Sequence, residues 1–369
     1  MLPETEWNTD LVFLKFEDRT AIAVISLFMA VVINFVAGFF YRNFVPIIWK
    51  IADFVFSPII EKLNKHHRSQ GELFVRGMIV TVIIIILFTL ISFIAEQYIL
   101  HSGLGDDTVL FIFVALLLLI ISGGSLFPVF LFLGHYIKTR NLPNGLYYEL
   151  SRASRQDLNS LDDHGEVRTA IKILARNFEF GCLVPVFWFL VSGLTGAYLA
   201  CAVLFVFWRY GEEGHDRGFG KLAGMLAYII SLPPGILYFL CILIAGLVVP
   251  TFSPVRMIEG LVTRSASSFR RFYEGGLGLI AMAWGFNIAL GGPVTEINGR
   301  KRKNIWVGPD NASARIPPAT IKRAVYFMAV SYLVFALLLL AALYTTDQAD
   351  ISSLRMTLAR IFALAQKAF

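Results

Sequence analysis

Long apolar runs separated by short polar connections dominate the chain. Ala21–Phe40, Ile79–Ala95, Val109–Leu133, Gly181–Phe207, Met225–Val249 and Ala324–Tyr344 are nearly free of charge. A helix rises about 1.5 Å per residue and the hydrocarbon layer is about 30 Å thick, so roughly 20 apolar residues suffice to cross it. The pattern predicts an all-α polytopic transmembrane bundle of about six spans. Val45–Leu63 mixes Trp49, Phe54, Phe56 and Ile59 with Lys50, Asp53, Glu61 and Lys62, which predicts an interfacial helix. In Ile351–Phe369, Leu354, Leu358, Ile361, Phe362 and Ala365 recur at helical spacing, predicting a C-terminal amphipathic helix after a single transmembrane domain over 1–350.

Two of the runs carry internal breakers. Gly181–Phe207 contains Ser192-Gly193-Leu194-Thr195-Gly196, and Met225–Val249 contains Ser231-Leu232-Pro233-Pro234-Gly235, so each either crosses or folds back as a re-entrant hairpin. The segment from Gly275 through Ile280–Leu290 to Gly291-Gly292-Pro293 is too short for a span and too apolar for a solvated loop. It is expected to be buried or re-entrant.

Lysine and arginine in the connections set the orientation. Arg42, Lys50, Lys62, Lys65, Arg68 and Arg76 fill the first connection, whereas Glu96–Thr108 has none, so the first is expected inside and the second outside. Gly134–Phe180 and Pro250–Arg323 are again basic and expected inside. The acidic N-terminus and Thr345–Asp350 then fall outside. Trp208–Gly224 fits poorly, being placed outside despite Arg209, Arg217 and Lys221. Parity couples the two broken runs: if only one folded back, Pro250–Arg323 would be forced outside.

Composition agrees with a membrane protein: of 369 residues 57% are hydrophobic and 16% charged. The net charge of +6 is what basic inner loops produce, and argues for a lipid bilayer rather than nucleic acid as the partner. Cys182, Cys201 and Cys241 lie inside apolar runs without metal-ligand spacing and read as small core residues. The acidic start, with Glu4, Glu6 and Asp10, lacks the basic region of a cleavable signal peptide, so the first run is expected to stay as an anchor.

No zinc-binding spacing, metalloprotease His-Glu pair, P-loop or nucleophile elbow occurs, so no metal ligand is assigned. His66-His67, His101, His135 and His164 read as solvated or isolated. The densest polar cluster is Arg209-Tyr210-Gly211-Glu212-Glu213-Gly214-His215-Asp216-Arg217, where carboxylates could hold Mg²⁺ against a phosphate or simply form a solvated turn. Glu179 sits between Phe178 and Phe180 at the mouth of an apolar run, where an ionisable group is costly and is either functional or an interfacial anchor.

The same places resemble the CobD/CbiB family of cobalamin-pathway membrane proteins. Ala175-Arg176-Asn177-Phe178-Glu179-Phe180-Gly181-Cys182-Leu183-Val184-Pro185-Val186-Phe187-Trp188 is similar to the family pattern Ala-Glu-Asn-Thr-x-Asp-Gly-x-x-Ala-Pro-x-Phe-Trp. Asn177, Gly181, Pro185, Phe187 and Trp188 agree. Ala281-Met282-Ala283 and Leu290-Gly291-Gly292-Pro293 match a second family stretch without a gap, and the likeness runs from about Phe35 to Leu343. It implies a bacterial cytoplasmic (inner) membrane protein and a reaction joining adenosylcobyric acid to aminopropanol or its phosphate, with ATP and Mg²⁺ as cofactors and a corrinoid ligand.

The departures fall on the polar residues of that chemistry. Arg176 stands for the family Glu, Phe178 for the Thr and Phe180 for the Asp. Where the family has Asn-Thr-x-Asp-Ser-Met-x-Gly-Tyr, the chain has Ala202–Arg209 before a matching Tyr210. Ser-Pro-Asn-x-Gly becomes Phe272-Tyr273-Glu274-Gly275-Gly276. The Asn-Phe-x-Phe run before Pro-x-Phe-Trp also resembles the AmpE membrane proteins, linked to β-lactamase induction. Amide formation driven by a nucleotide needs carboxylates for Mg²⁺ and a positioned base. The expectation is therefore an intact scaffold with altered or lost synthase chemistry, acting as a regulatory, scaffold or ligand-sensing protein with a membrane partner or a second copy of itself. An active synthase would have to rebuild its site from Glu179, Glu212, Glu213 and Glu274, with Asn177, Arg209, Tyr210, Gly291 and Gly292 binding ligand. A transporter would need charges at mid-membrane, and the six runs hold almost none.

Overall fold

An apolar run in lipid must satisfy its own backbone hydrogen bonds, and these runs do so as helices. The computed structural model describes residues 14–36, 44–65, 68–122, 144–211, 218–262, 276–297, 299, 301–302, 304–317 and 319–346. In order come α1 (Phe16–Val36), α2 (Ile47–Leu63), α3 (Gln70–His101), α4 (Asp106–Ile120), α5 (Asn144–Ser154) and α6 (Asp163–Phe178). A π-helical turn, Glu179–Leu183, joins α6 to α7 (Val184–Tyr210); α8 (Lys221–Val248), α9 (Pro254–Val262), α10 (Gly276–Gly285) and α11 (Ala319–Thr346) follow. Among the described residues, strands occur only as two short antiparallel ladders. Leu290–Gly291 (β1) pairs with Trp306–Val307 (β4), and Val294–Thr295 (β2) with Lys301–Arg302 (β3).

Among the described residues four helical stretches are long and apolar enough to cross a membrane: Gln70–His101, Asp163–Tyr210, Lys221–Val248 and Ala319–Thr345. On α3, Ile79, Val82, Ile83, Ile86, Leu90, Ile91 and Ile94 are all exposed, an apolar surface that water would not tolerate and lipid would cover. Of the expected Val109–Leu133 span, residues 109–122 are described and 123–133 lie outside the described residues. α4 stops at Ile120, Ile121 turns extended, and the Ser122 N–H donates to Gly181 O at 2.6 Å. The C-terminal amphipathic helix expected at Ile351–Phe369 and the acidic first residues lie outside the described residues.

The 163–210 stretch does not run straight. A straight helix would hold Phe180 and Phe207 about 40 Å apart, yet their rings meet edge to face with centroids 5.8 Å apart. Arg176 and Trp208 likewise both donate to Ala153 O, at 2.8 and 3.0 Å. The chain therefore folds back at Ser192–Gly193, where the backbone leaves the helical region and Gly193 takes φ 69°. The result is an antiparallel hairpin with α6 and the first half of α7 as one arm and Leu194–Tyr210 as the other.

Two ionisable side chains close its tip. The carboxylate of Glu96, 2% exposed on α3, accepts from Leu194 N at 3.3 Å and from Thr195 N and Oγ1 at 3.0 and 2.7 Å. Arg19 of α1 donates to Leu190 O and Val191 O at 3.3 and 3.0 Å. A negative group thus meets the N-terminus of the second arm and a positive group the C-terminus of the first, the sense that the helix dipole favours. The groups that a break leaves without helical partners are satisfied where no water would do it.

The other broken run behaves differently, since α8 stays one helix through Pro233 and Pro234. The parity argument counts Val109–Leu133 as one crossing; α4 ends at Ile120, and residues 123–133 of that run lie outside the described residues. A cap formed by α5 and the ladders packs on the start of α6, held by Asp157 N to Thr295 O at 2.8 Å, Arg168 to Ala314 O at 2.5 Å and His164 Nδ1 with Ile316 O at 2.9 Å.

Gly193→Ala would place a Cβ 2.2 Å from Glu96 Oε1 at a positive φ. It is expected to cost about 1–3 kcal/mol, seen as a lowered thermal midpoint in detergent. Glu96→Ala is expected to do the same by stranding three donors, and Glu96→Gln, which keeps an acceptor oxygen, to do so less. Unchanged midpoints in both Gly193→Ala and Glu96→Ala would remove the tip from the account.

Candidate functional site

The π-helical turn inserts one residue per turn relative to an α-helix and marks functional sites in many proteins. Here it lies within the Asn177–Trp188 stretch, every residue of which up to Val186 is buried. Asn177 Nδ2 donates to Phe44 O at 2.5 Å, tying α6 to the chain ahead of α2. A Cβ on Gly181 would sit 1.8 Å from Ser122 Oγ, so only glycine allows the end of α4 this close. Trp188 Nε1 donates to Ile230 O at 3.1 Å, linking the first arm to α8.

Glu179, 1% exposed, points at the start of α10. Its carboxylate accepts from Leu277 N at 3.2 Å and Gly278 N at 2.7 Å. Both oxygens therefore satisfy backbone donors at a helix N-terminus, an arrangement that fixes α10 against the hairpin. The neighbouring positions are packed as core. Phe178 meets Tyr238, Tyr332 and Phe335 at 5.5, 4.6 and 6.3 Å, and Phe180 meets Phe207. Within this stretch Mg²⁺ would find one carboxylate, already engaged by two N–H groups. These described residues do not fit a Mg²⁺–ATP centre. Among the described residues no three His, Cys, Asp or Glu gather as a metal site.

Arg209 is likewise engaged. Its Nε donates to Asp53 Oδ1 at 2.6 Å, and its Nη2 donates to Ser57 Oγ at 2.8 Å and Glu61 Oε1 at 3.2 Å. Asp53, Ser57 and Glu61 stand four residues apart on one face of α2, and the ladder clamps the second arm to that helix. Tyr210 lies under the same guanidinium, 5.0 Å from ring centre to Cζ, and against Phe219 at 5.5 Å. Glu212, Glu213 and Glu274 lie outside the described residues. The three cysteines are free and buried, and Trp49 Nε1 donates to Cys201 Sγ at 3.1 Å.

Gly291 and Gly292 have φ of 82° and 83°. A Cβ on Gly291 would meet Ile305 O at 2.6 Å, and one on Gly292 the Trp306 ring at 2.5 Å. This Gly-Gly-Pro turn lets β1 lie tight against β4. It also forms one wall of a polar cleft whose lining is Gln156, Leu161, Gly165, Arg168, Thr169, Lys172, Gly291, Pro293, Val294 and Asn304. Of the residues singled out in the sequence, the cleft gathers Gly291 but not Glu179, Asn177, Arg209 or Tyr210. Its polar side chains escaped notice in the sequence, although Gly165, Arg168, Thr169 and Lys172 fall at i, i+3, i+4 and i+7, one face of a helix.

Compared with known proteins, residues 27–328 match the family model described as CobD/Cbib protein. No curated protein and no solved structure matches the chain.

Glu179→Ala leaves two N–H donors, one buried and one partly buried, without an acceptor and is expected to lower stability by about 1–3 kcal/mol, read as a fall in thermal midpoint. Glu179→Gln, whose amide oxygen still accepts, is expected to retain most of it. Equal midpoints for wild type and Glu179→Ala would show that the contact does not hold α10.

Proposed function

Because the chain belongs to the CobD/CbiB family, a cobalamin-biosynthesis membrane family, we propose that it keeps the family scaffold without the amide-forming chemistry. Its role is then that of a regulatory, scaffold or ligand-sensing protein of the bacterial inner membrane, comparable to the AmpE proteins. The observation that carries this reading is the seam between the hairpin arms. Phe180 stands where the family has Asp, and Phe207 lies in the segment where the family has Asn-Thr-x-Asp-Ser-Met. The two rings pack on each other at 5.8 Å. Two polar stretches that the family carries separately in sequence have here become apolar together across one contact. A carboxylate cannot be restored at Phe180, or at Phe205 where the family's second Asp aligns, without burying charge in a packed aromatic core.

The residues shared with the family, Asn177, Gly181 and Trp188, make packing and backbone contacts that hold the arms in place, which supports retention of fold apart from function. A second reading, an active adenosylcobinamide(-phosphate) synthase, draws on the retained Gly-Gly-Pro turn at the polar cleft. It requires the carboxylates of Glu212, Glu213 and Glu274 to supply what the Asn177–Trp188 stretch lacks. A corrinoid ligand remains part of either reading.

Purified protein in detergent, given adenosylcobyric acid, ATP, Mg²⁺ and aminopropanol phosphate, is expected to yield no amide product by mass spectrometry. A family synthase run in parallel confirms the assay. Product formation that Glu212→Gln or Glu274→Gln abolishes would establish the second reading in place of the first.

A further inference from the structure

The two short ladders belong to one β-hairpin. Leu290 pairs with Val307 and Gly291 with Trp306, while Val294 pairs with Arg302 and Thr295 with Lys301. Between the ladders residues 303–305 face only Gly292 and Pro293, so the strand carries a one-residue bulge. The root of the β-hairpin is core, with Leu290 and Val307 fully buried. One edge is pinned to the α5–α6 connection, since Asp157 N donates to Thr295 O at 2.8 Å and Glu296 bridges Gln156 through its backbone.

Away from those contacts the β-hairpin turns large apolar side chains outward. Ile297, just past β2, is 60% exposed, and Ile305 and Trp306 are 38% and 48% exposed. Trp306 covers Gly292 and carries the Arg168 guanidinium 5.4 Å from its ring centre, and nearly half of it is still open. Where the β-hairpin stands shows what meets these side chains. Ile316 O lies 2.9 Å from His164 Nδ1 in the first turn of α6, and α11, long and apolar enough to cross the bilayer, starts at Ala319. The β-hairpin is thus tied to the ends of two membrane helices, at the height where they leave lipid. Lys322, Arg323 and Tyr326 are exposed on the first turns of α11, the residue types that anchor a helix in the headgroup layer.

Charge agrees with that position. Over residues 294–323 the sequence holds seven lysines and arginines against two acids, Glu296 and Asp310, and Glu296 is buried. Lys301 and Arg315 are exposed. We propose that the β-hairpin seats on an anionic phospholipid leaflet, with Ile297 and Trp306 entering the headgroup layer and the cations around them meeting its phosphates. Apolar side chains rimmed by basic ones are what such a surface binds. An acidic soluble partner would meet the same cations, but at a height the headgroups already occupy. The assignment rests on the β-hairpin and holds whether or not amide synthesis survives.

The test uses the full chain with Cys182, Cys201 and Cys241 replaced by alanine and Ile297→Cys carrying a solvent-sensitive fluorophore. The protein is placed in nanodiscs of phosphatidylcholine, alone or mixed with phosphatidylglycerol. A nitroxide on the upper acyl chain and iodide in the water are the two quenchers, and a label at Ile86→Cys, on the exposed row of α3, sets the full lipid signal. In the mixed discs the nitroxide is expected to quench the Ile297 label and iodide to be excluded. Lys301→Gln is expected to lower the ratio of seated to free β-hairpin about fivefold, and added salt to weaken the phosphatidylglycerol-dependent part. Should Ile297→Cys fail to fold, Ile305→Cys carries the same expectation. Quenching by iodide without quenching by the nitroxide overturns the proposal and leaves the patch to a soluble partner. Nitroxide quenching that is equal in the two kinds of disc and unchanged in Lys301→Gln overturns the assignment to an anionic leaflet.

Discussion

A helix interrupted inside a bilayer exposes backbone groups that lipid cannot satisfy, and the way this chain meets that constraint organises the fold. Gly193 supplies the reversal, Glu96 receives the freed N–H groups and Arg19 the freed carbonyls. These partners come from α3 and α1, so the hairpin tip is also where those helices are pinned to the centre. Away from the tip, Arg209 with the α2 ladder and Glu179 with α10 repeat the device. In each case an ionisable side chain ends as an internal fastener.

That economy of charge bears on function. In a hairpin whose arms pack along their length, the residues facing across the seam are chosen together. Phe180 and Phe207 meet there, Trp208 stacks on Trp49 at 5.4 Å, and Phe178 anchors an aromatic group reaching α8 and α11. Aromatic pairs of this kind add about 0.5–1.5 kcal/mol each beyond simple burial. On the proposed reading, the seam gains cohesion where amide synthesis would want water, Mg²⁺ and ionised groups. Polar space survives instead at the start of α6, where the Gly-Gly-Pro turn and the α6 face enclose the cleft.

Much of the fold was legible in sequence because lipid imposes a strong pattern. Run length gave the helices, mixed polarity gave α2, and the Ser192–Gly193 breaker marked the reversal. The buried character of 276–285 followed from its being apolar and short. What escaped were pairings between distant residues. Glu96 lies one position past the end of its predicted span and Arg19 just before the start of another, so neither registered as intramembrane. Arg209 read as part of a turn because its partners Asp53, Ser57 and Glu61 are far away in sequence, although their four-residue spacing is a signal. Glu179 was singled out on the right physical ground, burial of an ionisable group, but its partner is a helix end that no local motif announces. The cleft stayed hidden because its walls come from the α5–α6 connection, α6 and the ladder region, which only tertiary structure brings together.

The most direct test of this account is cross-linking across the hairpin. Cysteines replace Phe180 and Phe207 in a chain whose Cys182, Cys201 and Cys241 have become alanine, and a short bifunctional thiol reagent is applied in native membranes. The account expects an intramolecular cross-link, because the two positions face each other. A straight helix would hold them about 40 Å apart, beyond any short reagent. Failure to cross-link, with each thiol shown to react singly, would contradict the fold-back and the apolar seam that rests on it.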